Sequence, residues 1–386
     1  MKLFRPNAGR SRGGTSTSTV LVIAGTRPES IKLAPVVWAL DADRALGAVV
    51  VNSGQHPTAV RTAFDEFGVR HDVELDALPA LPNLLASFEH LRTELRAVIA
   101  RHRPRCVLVQ GDTLTSYAGA AAGRDSDCLV AHVEAGLRTS SATEPFPEEW
   151  FRRRIACLTD IHFAPTRAAV SHLRAEGVSA HAIYQTGNTG IDSLRWAIDR
   201  IEPQQSDDNV RRDRILVTLH RRENHDRNAD VVCRALLRLS SLRPELNIVF
   251  PVHPNPRVAE PIRRRLGGHP AFDLVAPMAY RDFIATAMRS ALIISDSGGI
   301  QEEAPHLGTP LLVPRCNTER PEAIATGFVR LVAVDERGIV NAAQAALSAE
   351  RKQPVPIDRD APFGAGDAAQ RIARALRTTM LERAIA

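Results

Sequence analysis

The chain has 386 residues, of which 44% are hydrophobic and 24% charged, a composition typical of soluble globular proteins and long enough for two α/β domains. The net charge of +5 and the pI near 9.2 would suit nucleic acid, but the arginines are scattered and only 5% of residues are aromatic. We therefore exclude a nucleic-acid surface and favour an anionic small molecule.

Five widely spaced cysteines without a Cys-x-x-Cys pair favour a reducing compartment and a metal-free protein. Residues 1–18 are basic and rich in Gly, Ser and Thr, without the apolar core of a signal peptide, and predict a disordered arm. No apolar run reaches the ~18 residues of a membrane helix. We expect a cytoplasmic protein with no membrane partner.

From Thr19 onward, short β-branched runs alternate with stretches of helical periodicity, the pattern of a parallel sheet with crossover helices. This first predicted domain, residues 19–200, contains strands at Val20–Ala24, Ala48–Asn52, Cys106–Gln110, Leu129–His132 and His162–Ala164.

A polar, proline-containing stretch, Glu202–Asn209, predicts the region between domains. The second predicted domain, residues 209–366, contains strands at Ile215–Thr218, Ile248–Pro251, Leu274–Val275, Leu292–Ser295, Leu311–Pro314 and Leu331–Val334. A last helix, in residues 367–386, can pack on the second domain or pack back on the first. The predicted fold class is α/β, with two Rossmann-like, doubly wound domains facing each other across a ligand-binding cleft.

The most informative segment follows the strand that ends at Ser295, where Ser297, Gly298 and Gly299 open a helix. Two glycines let the backbone approach a ligand, and a helix N-terminus favours phosphate oxygens. Glu303, one turn into the helix, suits two ribose hydroxyls, and Arg320 suits a diphosphate as a forked donor. The combination predicts a sugar-nucleotide site.

In the first domain, each strand ends on a polar cluster. Asp112 and Glu134 follow the third and fourth strands, and Glu148 opens a later helix. Because the carboxyl ends of parallel strands converge, the three carboxylates can share one pocket and transfer protons at a carbon atom. Each also has a plain structural reading, since Asp112 suits a helix cap and Glu148 or Glu149 a helix N-terminus.

His220 stands at a strand end before two arginines, where an imidazole can protonate or hydrogen-bond a leaving diphosphate. His253, in a proline-rich loop, is equally compatible with a purely structural role. The acidic residues show no metal-ligand spacing, and the first turn lacks a Gly-x-Gly-x-x-Gly fingerprint, so we expect no metal and no redox cofactor.

Taken together and in order, from about residue 20 to 335, the motifs of this chain resemble those of the non-hydrolysing UDP-N-acetylglucosamine 2-epimerases. The matching segments are Gly25–Lys32, Gly54–His56, Gln110–Thr113, His132–Thr139, Pro147–Glu149, Gly187–Thr189, His220–Asn224, Ser295–Glu303 and Thr318–Glu322.

The resemblance implies the GT-B fold, a homodimer, and interconversion of UDP-N-acetylglucosamine and UDP-N-acetylmannosamine without NAD, by anti elimination of UDP to 2-acetamidoglucal and re-addition. It implies that Asp112, Glu134, Glu148 and His220 are catalytic, without deciding which carboxylate is the base. The substrate contacts that we predict are Arg27, Lys32, Arg138, His253, Phe283 (near the uracil), Ser297, Gly298, Gly299, Glu303 and Arg320.

Three departures from the family pattern carry expectations of their own. Pro57-Thr58-Ala59 and Leu78–Pro82 replace segments that, in many members, hold a second substrate molecule, so we expect activation by UDP-N-acetylglucosamine to be weakened or absent. Trp150-Phe151-Arg152 stands beside Glu148 where the family usually has an Asn before the Arg, and this segment is expected to reshape the sugar pocket. Leu219, before His220, is bulkier than the small residue usual there. A specialised biosynthetic pathway suits these changes.

Three alternatives stay open. A GT-B glycosyltransferase would share the Gly298-Gly299 and Glu303 site but needs an acceptor site, and a hydrolysing epimerase would release free N-acetylmannosamine. A catalytically silent sensor is expected to have lost a carboxylate or His220, whereas this chain keeps all four residues.

Overall fold

The computed structural model describes residues 18–139, 141, 145–201, 211–219, 227–252 and 255–385. The predicted N-terminal arm up to residue 17 and the polar stretch at 202–209 lie outside these residues. The chain forms two compact units, one of residues Met1–Ser193 with Asp358–Ala386 and the other of Leu194–Ile357.

The first unit is a seven-stranded parallel sheet in the order β3-β2-β1-β4-β5-β6-β7. Its strands are β1 (Ser18–Ala24), β2 (Leu46–Asn52), β3 (Val73–Glu74), β4 (Cys106–Gln110), β5 (Leu129–Val133), β6 (Ile161–Ala164) and β7 (Ile183–Gln185). The helices between them are α1 (Arg27–Ala42), α2 (Pro57–Glu66), α3 (Leu84–His102), α4 (Leu114–Asp125), α5 (Glu148–Leu158) and α6 (Arg167–Ala175). Helix α7 (Thr189–Ile198) follows β7 and begins in the first unit and ends in the second.

The central strands of this sheet are continuous apolar runs because helices cover both faces. Residues 20–24 of β1 are fully buried, and Val107, Leu108 and Val109 of β4 are equally inaccessible. The strand order reverses between β1 and β4, and ligands of doubly wound sheets bind beside the carboxyl ends of strands at such a switch point.

The second unit is a six-stranded parallel sheet in the order β10-β9-β8-β11-β12-β13. Its strands are β8 (Arg211–Thr218), β9 (Asn247–Pro251), β10 (Phe272–Val275), β11 (Ser290–Ser295), β12 (Leu311–Pro314) and β13 (Val329–Val332). Its helices are α8 (Arg227–Leu242), α9 (Pro256–Leu266), α10 (Tyr280–Met288), α11 (Gly298–Leu307), α12 (Pro321–Ala325) and α13 (Glu336–Ser348). The order reverses between β8 and β11.

Both sheets confirm the predicted α/β class, and the predicted strands are present with ends shifted by a few residues. Two short edge strands, β3 and β7, were not predicted, and β13 begins at Val329 rather than Leu331. No helix in the described part of the chain is long and apolar enough to span a bilayer.

The last helix, α14 (Ala368–Ile385), packs on α1 of the first unit. Asp192 of α7 accepts hydrogen bonds from the first two backbone amides of α14, those of Ala368 at 3.2 Å and Ala369 at 3.0 Å. Arg377 of α14 also pairs with Asp43 at 3.2 Å. A buried carboxylate and a surface ion pair therefore fix the two ends of this contact.

Candidate functional site

The turn after β1 brings the first predicted site residues to the carboxyl edge of the sheet. Thr26 caps α1, Arg27 is its first residue and lies partly exposed, and Lys32 follows one turn later, 7% exposed. A Cβ at Gly25 would lie 1.9 Å from Thr115 Oγ1, so only glycine fits where this turn crosses the end of the sheet.

Glu134 directly follows β5 and is held in an unusual backbone conformation. Its φ of +66° lies in the left-handed region, which costs a non-glycine residue free energy and is common at functional sites. Lys32 Nζ donates to its Oε2 at 2.6 Å, and Gln110 Nε2 donates to the same oxygen. Glu134 is 9% exposed. Two donors from neighbouring elements therefore fix its carboxylate at the edge of the sheet.

Asp112 lies in the loop between β4 and α4, at the same edge. The preceding Gly111 has a φ of +73°, donates its N–H to the Val133 carbonyl at 3.0 Å and accepts from His132 Nε2 at 2.7 Å. Burial lowers the pKa of His132 to about 3, so the ring is neutral and its Nε2–H is the donor. Strand β5 therefore anchors the loop that carries Asp112.

Two residues that the sequence analysis did not select complete the surroundings of Asp112. Arg152, 3% exposed, donates from Nε to Asp112 Oδ2 at 2.8 Å and from Nη1 to Glu149 Oε2 at 2.6 Å. Glu149 is fully buried and also accepts from the backbone N–H of Thr139 at 3.2 Å. The sequence signal for this pair was the spacing of three residues between Glu149 and Arg152, which places opposite charges side by side on a helix.

Glu148 is the first residue of α5 and is half-buried. Within the described residues its carboxylate makes no hydrogen bond or ion pair, in contrast to Asp112 and Glu134. A negative charge is favourable at this helix N-terminus. Of the three predicted carboxylates, Glu148 is the one that the described protein groups leave open to a ligand.

Trp150, two residues after Glu148, packs against other aromatic rings. Its ring packs edge-on against Tyr117 with centroids 5.2 Å apart and lies against Phe151 at 5.6 Å, and 41% of the residue is exposed. Successive residues of a helix point about 100° apart, so Trp150 joins an aromatic cluster with α4. An effect of the Trp150-Phe151 segment on the sugar pocket stays a prediction.

Arg138 has its guanidinium bound within the protein. Its Nε and Nη2 donate to the two carboxylate oxygens of Glu176 at 2.8 and 2.6 Å, and Nη1 donates to the Leu137 carbonyl at 2.7 Å. This bidentate pair fixes the loop after β5 to the end of α6. A direct contact of Arg138 with substrate stays a prediction.

In the second unit, α11 begins directly after β11 with Gly298 as its first residue and Ser297 at its N-cap. A Cβ at Gly298 would lie 2.7 Å from Arg320 Nη1, whereas a Cβ at Gly299 would meet nothing within 4 Å. The guanidinium of Arg320 therefore lies against the first residue of α11, in the space that a side chain would fill. A buried cation beside a helix N-terminus is a strong site for a diphosphate.

Arg320 is held there by two buried carboxylates. Its Nε donates to Glu302 Oε1 and its Nη1 to Glu319 Oε1, both at 2.5 Å, and the residue is 5% exposed. Its backbone N–H donates to Thr318 Oγ1 at 3.1 Å, and Thr318 donates to Gln301 Oε1 at 2.7 Å. The network fixes the guanidinium relative to α11.

Glu303 lies one turn into α11 and is 7% exposed. Its Oε1 accepts from the hydroxyl of Tyr280 at 2.7 Å, a residue 4% exposed that the sequence analysis did not select. Phe283, three residues further along α10, is partly exposed. Tyr280 thus fixes one oxygen of the carboxylate that we expect to bind ribose.

His220 and His253 lie outside the described residues, and their predicted roles stay predictions. No group of three or more His, Cys, Asp or Glu side chains in the described part of the chain is arranged to hold a metal ion. The structure thus brings Lys32, Asp112 and Glu134 together at one edge of the first sheet, and Gly298, Glu303 and Arg320 around α11 in the second unit.

Comparison with known proteins gives relatives for almost the whole chain. A family model described as UDP-N-acetylglucosamine 2-epimerase matches residues 38–377. The UDP-N-acetylglucosamine 2-epimerase of Escherichia coli strain K12 is 38% identical, covering 94% of this chain and 99% of its own.

Two solved structures extend the similarity to the fold. The UDP-GlcNAc 2-epimerase of Neisseria meningitidis bound to UDP-GlcNAc is 34% identical with a TM-score of 0.86, covering 93% of this chain and 100% of its own. The Methanocaldococcus jannaschii UDP-GlcNAc 2-epimerase in complex with UDP-GlcNAc and UDP is 30% identical with a TM-score of 0.82, covering 93% and 99%.

Proposed function

Since the chain belongs to the UDP-N-acetylglucosamine 2-epimerase family, a family of isomerases, we propose that it interconverts UDP-N-acetylglucosamine and UDP-N-acetylmannosamine by the non-hydrolysing route. The observation that carries the proposal is the fixed carboxylate group at the edge of the first sheet, where Glu134 and Asp112 are held by Lys32 and Arg152. Proton transfer at carbon needs such positioned groups.

The reaction proceeds through elimination and re-addition. A base removes the proton at C2 of the sugar, and the C1–O bond breaks with its electron pair passing to UDP, which gives 2-acetamidoglucal and UDP. The reverse addition, with protonation of C2 on the opposite face, gives the epimer. We assign the removal of the C2 proton to Glu148, whose carboxylate has no partner among the described residues, and the positioning of the sugar to Asp112 and Glu134. The proton added to C2 comes from an acid on the opposite side of the ring.

The second unit supplies the groups for UDP. The N-terminal amides of α11 at Ser297, Gly298 and Gly299 and the guanidinium of Arg320 suit the diphosphate, which becomes more negative as the C1–O bond breaks. Glu303, fixed by Tyr280, suits the ribose hydroxyls.

The remaining assignments rest on the family resemblance. They are a contact of Phe283 with the uracil, of Arg27, Arg138 and His253 with the substrate, and of His220 with the leaving diphosphate. The same holds for a homodimer, for a cytoplasmic location and for a specialised biosynthetic pathway.

The test is proton NMR of the purified protein with UDP-N-acetylglucosamine in deuterated water. We expect deuterium at C2 and a growing UDP-N-acetylmannosamine signal, both abolished in Glu148→Gln and strongly reduced in Asp112→Asn. The matched control is Glu94→Gln, an exposed glutamate of α3. Release of free N-acetylmannosamine would indicate a hydrolysing enzyme, and UDP binding without any exchange would indicate a transferase.

The same assay examines activation by substrate. Gln55, next to the altered Pro57-Thr58-Ala59 segment, accepts from Thr115 N–H at 3.1 Å and from the Thr115 hydroxyl at 2.7 Å, so its amide oxygen serves the fold. We expect UDP-N-acetylmannosamine alone to react at its full initial rate. A rate that requires added UDP-N-acetylglucosamine would contradict this.

A further inference from the structure

Glu29 is a buried carboxyl group to which the proposed reaction gives no task. It lies in the first turn of α1 and is 1% exposed. Its Oε2 accepts the backbone N–H of Gly25 at 2.9 Å, and its Oε1 lies 2.6 Å from the Thr113 hydroxyl and 2.8 Å from the Ser116 hydroxyl. One side chain of α1 therefore contacts both the turn after β1 and the start of α4.

The protons available to these contacts can be counted. Ser116 Oγ also lies 2.5 Å from the Gln110 carbonyl oxygen, which can only accept. Thr113 Oγ1 and Ser116 Oγ are 3.0 Å apart. Three shorter O···O contacts, each of 2.8 Å or less, join Thr113 to Glu29, Glu29 to Ser116, and Ser116 to Gln110. Each such contact needs a proton, but the two hydroxyls supply only two.

A proton on Glu29 itself supplies the third. Thr113 then donates to Glu29, Glu29 donates to Ser116, and Ser116 donates to the Gln110 carbonyl. The groups that face Glu29 in the described residues, from the β1–α1 turn and from α4, are backbone amide and hydroxyls without charge. Burial raises the pKa of Glu29 above its ordinary value, in the same direction as the proton count.

The contacts of Glu29 lead directly to the proposed catalytic groups. Thr113 is the residue after Asp112, and Gln110, the end of this hydrogen-bonded chain, donates from its side chain to Glu134. Gly25, on the other side, precedes Arg27 by two residues. Displacing the loop that holds a reacting group by about 1 Å can cost about 100-fold in rate.

We infer that Glu29 is a positioning residue which acts as a neutral carboxylic acid, joining the turn that carries Arg27 to the loop that carries Asp112. The inference rests on the proposed function for its effect on rate, whereas the protonation state of Glu29 does not depend on that function. The two parts are therefore tested by separate measurements.

Infrared difference spectroscopy tests the proton. At pH 7 the wild type should show a protonated-carboxyl C=O band that Glu29→Gln lacks and the matched control Glu94→Gln retains. Asp192, whose pKa burial raises to about 7, is present in all three proteins and cancels in the difference. No band lost in Glu29→Gln would overturn the neutral acid, whether or not the protein is an epimerase.

Kinetics of C2 exchange test the positioning. A neutral amide can replace a neutral acid, so Glu29→Gln should keep kcat within about 3-fold of wild type. Glu29→Ala should lower kcat by about 30-fold or more and leave the Kd for UDP unchanged. Thr113→Val, which removes one hydroxyl at nearly constant volume, should lower kcat by about 3- to 10-fold and serves if Glu29→Ala does not fold.

Two kinetic results would overturn the positioning role. One is a Glu29→Gln rate as low as that of Glu29→Ala, which would mean that the negative charge is required. The other is full activity in Glu29→Ala or, where that variant does not fold, in Thr113→Val. A wild type that shows no C2 exchange, by contrast, removes the proposed function and leaves the infrared result standing.

Discussion

Replacing Gly298 by alanine should disturb the proposed diphosphate site, whereas the same change at Gly299 should not strain the protein. The added Cβ at residue 298 would lie 2.7 Å from Nη1, 2.8 Å from Cζ and 3.0 Å from Nη2 of Arg320, and at residue 299 it would meet nothing within 4 Å. Both changes replace glycine in the first turn of the same helix, so they form a matched pair.

The loss of stability expected for Gly298→Ala follows from the two carboxylates that hold the Arg320 guanidinium. Ordinary contact begins at 3.4 Å, so the group must move by at least about 0.7 Å, away from two carboxylates that it meets at 2.5 Å. Losing a buried ion pair costs about 3–5 kcal/mol, and alanine returns about 1 kcal/mol of helix propensity. A net loss of about 2–4 kcal/mol lowers Tm by about 4–16 °C for a domain of this size.

Calorimetry of both variants, in the wild-type and Arg320→Ala backgrounds, measures this effect. Gly298→Ala should lower Tm only while Arg320 is present, and Gly299→Ala should raise it slightly in both backgrounds. Titration with UDP should give a Kd about 10- to 100-fold higher for Gly298→Ala, because a charged hydrogen bond contributes about 1.5–3 kcal/mol. Equal Tm values for the two single variants would refute the reasoning.

Three further changes follow from contacts of the described residues. Burial raises the pKa of Asp192 from 3.8 to about 7, so the folded protein keeps a proton that the unfolded chain releases. The free energy of unfolding therefore falls by up to about 4 kcal/mol as the pH rises from 4 to 7. Asp192→Asn should lack that fall, and a Tm difference from wild type that stays constant between pH 4 and 8 would contradict it. Tyr280→Phe removes the hydroxyl that donates to Glu303 and should weaken UDP binding, measured by calorimetry, about 10-fold. Binding of inorganic diphosphate should be unchanged, and equal losses for both ligands would count against ribose recognition by Glu303. Trp150→Ala should lower Tm by loss of its ring contacts yet keep kcat/KM within about 2-fold, and a large loss of activity would indicate that this ring contributes to the sugar pocket.

The alternation of apolar runs with helical periodicity was enough to predict the two parallel sheets, because strands buried on both faces have a distinct composition. The edge strands Val73–Glu74 and Ile183–Gln185 escaped detection because two or three half-exposed residues give no periodicity. The position of α14 was also left open, since an amphipathic helix does not specify its partner. A buried contact distant in sequence, from Asp192 to the start of α14, fixes it.

At the site, the sequence could predict residues that lie beside strand ends but not those that support them. Asp112, Glu134 and Gly298 lie one to three residues after the ends of strands and were selected for that reason. The spacing of Glu149 and Arg152 on a helix could indicate an ion pair between them, but not the contact of Arg152 with Asp112. Tyr280 lies on a helix, where one hydroxyl gives no signal until the fold brings it to a carboxylate.

The partners of the three proposed catalytic carboxylates decide which of them can change its charge during the reaction. Protonating Glu134 would break its ion pair with buried Lys32, and breaking a buried pair costs about 3–5 kcal/mol. Protonating Asp112 would likewise break its ion pair with Arg152, which would keep its ion pair with Glu149. Protonating Glu148 breaks no ion pair among the described residues. Its anion is stabilised by the N-terminus of α5, and that interaction contributes less than about 2 kcal/mol. Glu148 is therefore the group best able to take a proton from C2 on one face of the ring, while the paired carboxylates keep a constant field around the sugar.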